Sequence, residues 1–385
     1  MHVLMLSWEY PPRIVGGIAR HLYDLANALA DQGTKVTVVT AAFGDAPGYE
    51  EPRENLRIAR TALGSVWPYD FESEIMHLNF ALAAEAIRLA AGDPYDVVHA
   101  HDWLVAYAGN TVARALELPL VSTIHQTEIG RNNGLHSLEQ QYIHNVEWWL
   151  TYQSSRVIVC SDYMHGHVQW AFNLPWDKLR VVFNGVDSKR FNVRATKGFR
   201  RHWAADHEKI VFFVGRMVRE KGLHLIVEAA PKVLYYHPNT RFVVAGGGDS
   251  SWHQRRAWEL GAGHSFYFTG FVPDETLPSL YKAADVATFP SLVEPFGIVA
   301  LEAMAAGTPV VVSDVGGLGS IIRHGENGFK CYPDNANSLA DQILHVLMSP
   351  DHAAQCARVA KQEAATVYNW KRLAQLTAEV YQETL

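Results

Sequence analysis

Cysteine is scarce in this sequence, with three residues among 385. Cys160, Cys331 and Cys356 are odd in number and widely spaced, which excludes a disulfide framework and a cysteine-based metal clasp. No apolar run approaches the length needed to span a membrane, and the apolar start Met1 to Leu6 reaches Glu9 too soon for a secretory signal. We therefore expect a cytoplasmic protein whose thiols are reduced and buried.

Positive charge is in deficit as well. Lys and Arg number 33 against 40 Asp and Glu, a formal net charge of -7, so we expect no basic surface for nucleic acid. The glycine spacing of a dinucleotide fingerprint is also missing, which argues against a dehydrogenase. The chain does contain 48% apolar and 19% charged residues over a length too great for one ordinary core. This profile is typical of a soluble enzyme with two domains.

The first half of the chain predicts a parallel, doubly wound α/β sheet. His2 to Ser7 has the pattern of a buried strand, Ile18 to Leu29 that of an amphipathic helix, and Lys35 to Thr40 that of a second strand. A strand, helix, strand order of this kind is typical of parallel sheets. Gly16 and Gly17 lie between the first strand and its helix. They would let the backbone approach a ligand closely, although a simple turn or helix cap also explains them.

Histidines end two further strand patterns in this half. His99 and His101 close one of them, and His125 directly follows the other, Pro119 to Ile124. The carboxyl ends of parallel strands face the crevice where such sheets bind ligands. The chain has 19 histidines, so we favour loop-anchoring hydrogen bonds for His99 and His101. His125 is the better site candidate, because the polar segment Gln126 to Gly134 follows it.

Two parts of the first half are ambiguous. Trp148 and Trp149 lie on a predicted helix, and we interpret them as core residues, with a sugar-stacking platform as the alternative. Residues 41 to 75 are polar and irregular, with prolines at 47, 52 and 68. They are expected to form edge strands or a surface loop, and their pattern assigns them no role.

The second half repeats the strand and helix pattern, beginning with Lys209 to Val214 and a helix from Leu223 to Ala230. We place the domains at 1–190 and 191–365, followed by an amphipathic closing helix in 366–385. Arg216 and Lys221 follow the first strand of this half, close enough to converge on one anion. The Coulomb attraction between a loop cation and a neighbouring diphosphate is about 4 kcal/mol at an effective dielectric constant near 20. A solvated loop surface is the alternative.

One stretch predicts a strand, a loop and a helix N-terminus in succession: Val286 to Phe289 is apolar, and Ile298 to Ala306 has helix-forming composition. The loop would present free backbone N–H groups around Phe296 to Val299 to a phosphate. Glu294 and Glu302 flank it, separated by roughly 10 Å of helical rise. Double displacement at a glycosidic bond needs carboxylates about 5 Å apart. We therefore give the two glutamates different roles, at opposite ends of a phosphate-linked ligand, with two surface carboxylates as the alternative.

Together these motifs resemble the retaining nucleotide-sugar glycosyltransferases of the GT-B fold, family 4, over nearly the whole chain. The motifs that carry the resemblance are Gly215-Arg216 with Lys221, Glu294 to Glu302 around Pro295-Phe296-Gly297, Ala303 to Val311, Gly325 to Phe329, Gly16-Gly17, and the turn Asn184 to Asp187.

The resemblance implies two Rossmann-like domains facing a central cleft, with the closing helix packed back on the first domain. It implies that Arg216 and Lys221 hold the donor diphosphate, that Glu302 bonds the ribose, and that Glu294 and His125 contact the transferred sugar. The remaining donor contacts would come from Gly16, Gly17, Gly297, Ile298, Val299 and the loop backbone near Val272. It implies no cofactor and no metal, and the sequence contains no Asp-x-Asp triplet.

The segments from His125 to Gly134 and from Glu147 to Tyr152 resemble the glycogen synthase-like branch of α-1,4-glucosyltransferases. That branch implies ADP-glucose or UDP-glucose as donor and an α-glucan end as acceptor. Glycogen synthases carry a lysine where this chain has Ile14, with Arg13 one place earlier, and many family members have Gly-Asp-Gly-Pro at Gly247 to Ser250. The alternatives are a GDP-mannose donor, a lipid-linked or small sugar acceptor, a sugar-nucleotide epimerase, and a binding protein without turnover.

Overall fold

The computed structural model describes residues 1–62, 68–194 and 196–385. The chain divides into two compact units. The N-terminal unit comprises Met1–Asn184 together with Trp370–Leu385, and the C-terminal unit comprises Gly185–Asn369. Within the described ranges, no helix is both long enough and apolar enough to cross a membrane.

The described residues of the N-terminal unit form one eight-stranded sheet. Its strands are β1 (His2–Ser7), β2 (Lys35–Ala41), β3 (Tyr49–Arg53), β4 (Leu56–Thr61), β5 (Val97–His101), β6 (Leu120–Ile124), β7 (Arg156–Val159) and β8 (Leu179–Val181). Their order is β3-β4-β2-β1-β5-β6-β7-β8, and only β3 runs antiparallel to its neighbour.

The C-terminal unit contains a six-stranded parallel sheet. Its strands are β9 (Lys209–Val214), β10 (Thr240–Ala245), β11 (Phe266–Gly270), β12 (Val286–Phe289), β13 (Val310–Ser313) and β14 (Phe329–Cys331). Their order is β11-β10-β9-β12-β13-β14. The order reverses beside β1 in one sheet and beside β9 in the other, so ligand crevices are expected at the carboxyl ends of those strands. The predicted pair of doubly wound, Rossmann-like sheets is confirmed.

Helices connect most of these strands. In chain order they are α1 (Gly17–Asp31), α2 (Phe71–Ala90), α3 (Ala106–Ala115), α4 (Glu128–Arg131), α5 (Leu138–Gln153), α6 (Asp162–Phe172), α7 (Ser188–Phe191), α8 (Lys197–Arg201), α9 (Leu223–Tyr236), α10 (Ser251–Glu259), α11 (Leu277–Ala283), α12 (Ile298–Ala306), α13 (Gly316–Ile321), α14 (Ala336–Met348), α15 (Pro350–Thr366) and α16 (Trp370–Gln382).

The core of the N-terminal unit joins residues from both ends of the chain. Leu22 and Leu29 of α1 pack in one apolar cluster with Leu373 and Tyr381 of α16. Tyr381 is fully buried, and burial of a side chain of this size stabilises the fold by about 2 kcal/mol or more. The last helix is therefore an integral part of the N-terminal unit.

Two predicted helices have different bounds in the structure. α9 continues through Pro231 to Tyr236, because Val233 beyond the proline is buried and extends the apolar face of the helix. The closing helix predicted within 366–385 is α16, which begins at Trp370 after α15 ends at Thr366. Trp370 then joins the N-terminal core.

The stretch from 41 to 75 contains the edge strand β3, its neighbour β4 and the start of α2. Pro52 lies in β3, where an edge strand tolerates its missing N–H group. The edge-strand expectation is therefore correct for β3, whereas β4 lies inside the sheet between β3 and β2. Residues 63–67 of this stretch lie outside the described residues.

Candidate functional site

A close backbone approach joins two loops at the carboxyl edge of the C-terminal sheet. Gly222 has a φ of 72°, and a Cβ there would lie 1.8 Å from the carbonyl oxygen of Pro290, so only glycine fits. The Leu292 N–H donates to the Glu220 carbonyl oxygen at 2.8 Å. These contacts hold the turn after β9 against the loop after β12.

Lys221 and Glu294 meet at this junction. The Lys221 Nζ lies 2.7 Å from the Glu294 Oε2, and the Ser291 hydroxyl donates to the same oxygen at 3.3 Å. The Lys221 side chain is 25% exposed and that of Glu294 is 10% exposed. The structure therefore brings together two of the predicted site residues as a partly buried ion pair.

Arg216 is placed differently from Lys221. Its side chain is 63% exposed, and its guanidinium lies 3.7 Å from the Glu220 carboxylate. An ion pair this exposed contributes at most about 1 kcal/mol, so the guanidinium could turn toward an anion at little cost. Arg216 and Lys221 thus have different carboxylate partners, Glu220 and Glu294, and do not converge on one of them.

The N-terminus of α12 follows Glu294 directly. Gly297 caps the helix with a φ of 107°, and a Cβ there would lie 2.5 Å from Leu318 Cδ2. In the part of the chain that the structure describes, the N–H groups of Gly297, Ile298 and Val299 form no hydrogen bond. Free amides at the positive end of a helix are a suitable site for a phosphate.

Glu302 lies one turn further along α12 and is buried, with 3% of its surface exposed. Its Oε2 accepts a hydrogen bond of 2.9 Å from the hydroxyl of the fully buried Tyr281. The two glutamates therefore have different partners, consistent with different roles. The ribose contact of Glu302 stays a prediction.

Val272 lies in the loop after β11 and is partly exposed. Its neighbour Phe271 is 76% exposed. A cavity of about 350 Å³ lies elsewhere in this unit, lined by Lys209, Asp285 and Pro309 where β9, β12 and β13 begin. We do not assign this cavity to the donor, because it lies at the amino ends of the strands.

In the N-terminal unit, the Glu9 carboxylate binds the loop before α1. The buried Glu9 Oε2 accepts hydrogen bonds from the N–H groups of Val15 at 2.6 Å and Gly16 at 2.9 Å. Gly16 has a φ of -147°, which any residue adopts, and Gly17 begins α1. The backbone thus does not require glycine at 16. The N–H groups of Val15 and Gly16 already have a partner in Glu9.

Arg13 and Ile14, which precede Gly16 and Gly17, have different environments. The Arg13 guanidinium carbon lies 4.3 Å from the centre of the Trp8 ring, a cation–π contact. Ile14 is 48% exposed. The cation that stands one place before the usual lysine position is therefore engaged with an aromatic ring.

His125 follows β6, and the Asp102 side chain holds it in place through its backbone N–H group. Its N–H donates to the Asp102 Oδ1 at 2.8 Å, and Asp102 has a left-handed φ of 62° at the end of β5. Burial raises the pKa of Asp102 to about 7. Asp102 is not among the site residues predicted from the sequence, although its position directly after a strand-end histidine is a usable signal.

His99 and His101 have different environments. His99 forms hydrogen bonds with the Tyr381 hydroxyl and the Thr123 hydroxyl through its two ring nitrogens, both at 2.7 Å, so its partners lie on α16 and β6 and not in a loop. The His101 Nδ1 forms a hydrogen bond of 3.3 Å with the Nε2 of His125, in the loop after β6, and the His101 Nε2 has no hydrogen-bond partner among the described residues. The loop-anchoring interpretation therefore agrees with the one bond of His101 and is wrong for His99.

A fourth histidine, His21 of α1, completes a cluster with His99, His101 and His125. The ring centroids of His21 and His125 are 4.7 Å apart, and those of His99 and His101 are 4.1 Å apart. Burial lowers the pKa of His21 to about 4 and that of His99 to about 3. Burial and the neighbouring imidazoles hold the pKa values of His101 and His125 well below the usual value. The cluster is therefore neutral at pH 7.

The short helix α4 after His125 is held by a buried carboxyl group. Glu147 accepts the Glu128 N–H with both oxygens, at 2.9 and 3.1 Å, and the Asn132 side chain donates to the Glu128 Oε1 at 2.7 Å. Burial, reinforced by Asp102, raises the pKa of Glu147 well above its usual value. These bonds position the polar segment that follows His125.

Trp148 is not a core residue, because 44% of its surface is exposed. Its ring stacks on that of Tyr152, with the centroids 5.5 Å apart. Trp149 is partly buried and packs against Tyr107 at 5.3 Å. The core interpretation is therefore wrong for Trp148, and the sugar-stacking alternative stays a prediction.

Comparison with known proteins agrees with this arrangement. Residues 15–190 match the family model "Glycosyltransferase Family 4", and residues 196–363 match "Glycosyl transferases group 1". An uncharacterised glycosyltransferase of Methanocaldococcus jannaschii is 40% identical, covering 99% of this chain and 98% of the relative. Glycogen synthase of Mycobacterium tuberculosis is 36% identical, covering 99% of this chain and 94% of the relative.

Among solved structures, sucrose-phosphate synthase from Thermosynechococcus elongatus superposes with a TM-score of 0.86. It is 25% identical, and the match covers 99% of this chain and 98% of that chain. Both family models thus match this chain, one in each half, and each half contains a sheet whose strands are all or mostly parallel. The chain therefore belongs to the GT-B glycosyltransferases of family 4.

Proposed function

We propose that this glycosyltransferase is a retaining, metal-independent glucosyltransferase that moves glucose from ADP-glucose or UDP-glucose to the non-reducing end of an α-1,4-glucan. The observation that carries the proposal is the Lys221–Glu294 ion pair of 2.7 Å beside the free amides of α12. The 36% identity to a glycogen synthase over almost the whole chain supports the choice of glucose and glucan.

In this proposal the C-terminal unit binds the donor. Lys221 and Arg216 neutralise the diphosphate, and the N–H groups of Gly297, Ile298 and Val299 add hydrogen bonds at the positive end of α12. These groups stabilise the charge that develops as the diphosphate departs, an electrostatic contribution that for one well-placed donor is about 10²-fold or more in rate. The fixed backbone at Gly222 and Gly297 means that little reorganisation is needed.

Glu294 takes the sugar end of the donor. Its carboxylate is already held by Lys221 and Ser291, so the remaining lone pairs can accept hydrogen bonds from sugar hydroxyl groups in a fixed orientation. Glu302 takes the ribose end through the carboxylate that Tyr281 positions. Val272 contributes loop backbone near the base.

In the N-terminal unit, His125 contacts the transferred glucose. The Asp102 bond to its N–H fixes the loop, and the low pKa keeps the ring neutral, so it can act as a hydrogen-bond donor or acceptor without charge. Gly16 and Gly17 leave space for the donor in front of the loop that Glu9 holds.

The test is the release of nucleoside diphosphate from ADP-glucose, UDP-glucose and GDP-mannose, with and without glycogen or a malto-oligosaccharide. Release from a glucose donor that requires glucan, and that persists with EDTA, is the expected result. Release from GDP-mannose alone, or with no glucan dependence, would contradict the proposal. Interconversion of free sugar nucleotides without acceptor would instead indicate an epimerase.

A further inference from the structure

Three histidines converge at one point inside the N-terminal unit. His21 comes from α1, His101 from the end of β5 and His125 from the residue after β6. One ring nitrogen of each lies within 4.8 Å of those of the other two. The closest pair is His101 Nδ1 and His125 Nε2, 3.3 Å apart. The sequence brings these side chains together only through the parallel sheet, since they are far apart along the chain.

Several nitrogens in this cluster lack a partner. Both ring nitrogens of His21 and the Nε2 of His101 are buried without a hydrogen bond to any residue that the structure describes. The Asn184 side chain lies near His21, and its Oδ1 is likewise buried without a hydrogen bond of normal geometry in the described structure. An unsatisfied buried polar group destabilises a folded protein, so such a set calls for an explanation.

A hydrogen bond between His101 and His125 explains only part of the arrangement. It would be a long N–H to N bond of 3.3 Å, and it would leave His21 with two unsatisfied nitrogens facing the same point. A bound ion would give all three rings one shared partner. Two nitrogens that each lie about 2.1 Å from one tetrahedral ion are about 3.4 Å apart. The His101 and His125 nitrogens already have this separation, and the His21 nitrogen, within 4.8 Å of both, would move closer on binding.

We propose that His21, His101 and His125 form a binding site for Zn²⁺ or a similar transition-metal ion. Imidazole nitrogen suits this class of ion, whereas Mg²⁺ and Ca²⁺ prefer oxygen ligands. His99 is excluded as a ligand because Tyr381 and Thr123 occupy its two nitrogens. Its ring instead packs on His101 with centroids 4.1 Å apart, which fixes the orientation of that ligand.

The fourth position of the ion is open to water or to the Asn184 Oδ1, which is buried and unsatisfied in the described structure. His125 is partly exposed, so an ion can enter past its ring.

Occupation of this site withdraws His125 from the sugar. Zn²⁺ should therefore inhibit transfer while glucose donor and glucan are saturating, and a chelator should restore it. This consequence rests on the proposed function, whereas the metal site itself does not.

The direct test is a calorimetric Zn²⁺ titration of the full chain, together with the visible absorption spectrum after addition of Co²⁺. One tight site with a spectrum typical of tetrahedral nitrogen ligation is expected. His21→Phe should weaken the affinity at least tenfold, and His101→Gln is a second variant that provides an independent test if the first does not fold. The matched control is His352→Ala, since His352 Nδ1 and His345 Nε2 form an exposed pair 3.1 Å apart in the C-terminal unit.

No Zn²⁺ binding by the wild-type chain would overturn the proposal. So would loss of binding in His352→Ala with full retention in folded His21→Phe and His101→Gln, because the ion would then be adventitious at the exposed pair. Tight binding at the histidine cluster without inhibition of transfer would support the metal site and contradict the role given to His125. Absence of glucosyl transfer would contradict only the proposed function, since the titration needs no substrate.

Discussion

The Lys221 Nζ lies 2.7 Å from the Glu294 Oε2, although the two residues are 73 positions apart in the chain. The pair forms because the turn after β9 and the loop after β12 touch through backbone at Gly222 and Pro290. In this geometry the cation is held beside the free end of α12 and the carboxylate is held beside the cation. The proposed donor site is therefore already organised without a ligand.

Lys221→Met should reduce kcat/KM for glucosyl transfer by about 10²-fold or more, because the diphosphate loses its most buried cation. Lys232→Met is the matched control, since the Lys232 Nζ also lies 2.7 Å from a carboxylate, that of Asp341, in the same unit. Initial rates of nucleoside diphosphate release measure both variants. Equal rates for the two variants would contradict the role of Lys221.

Gly297→Ala should destabilise the C-terminal unit by about 1–3 kcal/mol and reduce donor binding, because the residue has a φ of 107° and the new Cβ would meet Leu318 at 2.5 Å. Gly325→Ala separates strain from collision, since Gly325 has a φ of 75° but no atom within 4 Å of the new Cβ. Urea denaturation should show a clearly larger loss for Gly297→Ala. Equal losses of unfolding free energy in the two variants would mean that the contact with Leu318 does not contribute to the destabilisation.

Glu147→Gln should become more stable relative to the wild type as the pH rises. Burial raises the pKa of Glu147, so the folded protein keeps a proton that the unfolded chain releases above about pH 4.3. The wild type therefore loses stability as the pH rises from there through the folded-state pKa, and glutamine, which does not titrate, does not.

The groups facing Glu147 are Asp102, which raises its pKa further, Glu128, and Arg131, which opposes the shift. Glu139→Gln on the exposed face of the same helix is the control. Urea denaturation at a series of pH values from about pH 5 upward should show a growing difference only for Glu147→Gln. A constant difference between this variant and the wild type would show that Glu147 is ionised in the folded protein.

Trp148→Ala should raise the KM for a malto-oligosaccharide by about tenfold and leave the donor KM unchanged, because an exposed aromatic ring stacks on the apolar face of a sugar. Trp170→Ala is the control, since Trp170 is 68% exposed in the same unit. Acceptor titrations at saturating donor compare them. An unchanged acceptor KM in Trp148→Ala would remove the stacking role.

The sequence predicted the strands of the C-terminal sheet well, because each is a short apolar run bounded by turn residues. β9 and β12 have the predicted bounds. The helix α12 also begins and ends as predicted, between Gly297 and Gly307. Local composition is sufficient where the punctuation is this strong.

Other features depend on tertiary contacts that no local pattern reports. His21 has the spacing of a core residue in α1, and only the fold brings it to His125. Glu9 binds the Gly16 N–H through a loop whose path the sequence does not show. Trp148 has the apolar character of a core residue, yet 44% of its surface is exposed.

The central claim is glucose transfer to an α-1,4-glucan. It is tested most directly by incubating the protein with radiolabelled ADP-glucose or UDP-glucose and glycogen, then digesting the product with an enzyme that removes α-1,4-linked units from non-reducing ends. The account predicts that the label enters the glucan and is released at once by this digestion. Label found only in free glucose or in a product that resists the digestion would contradict the account.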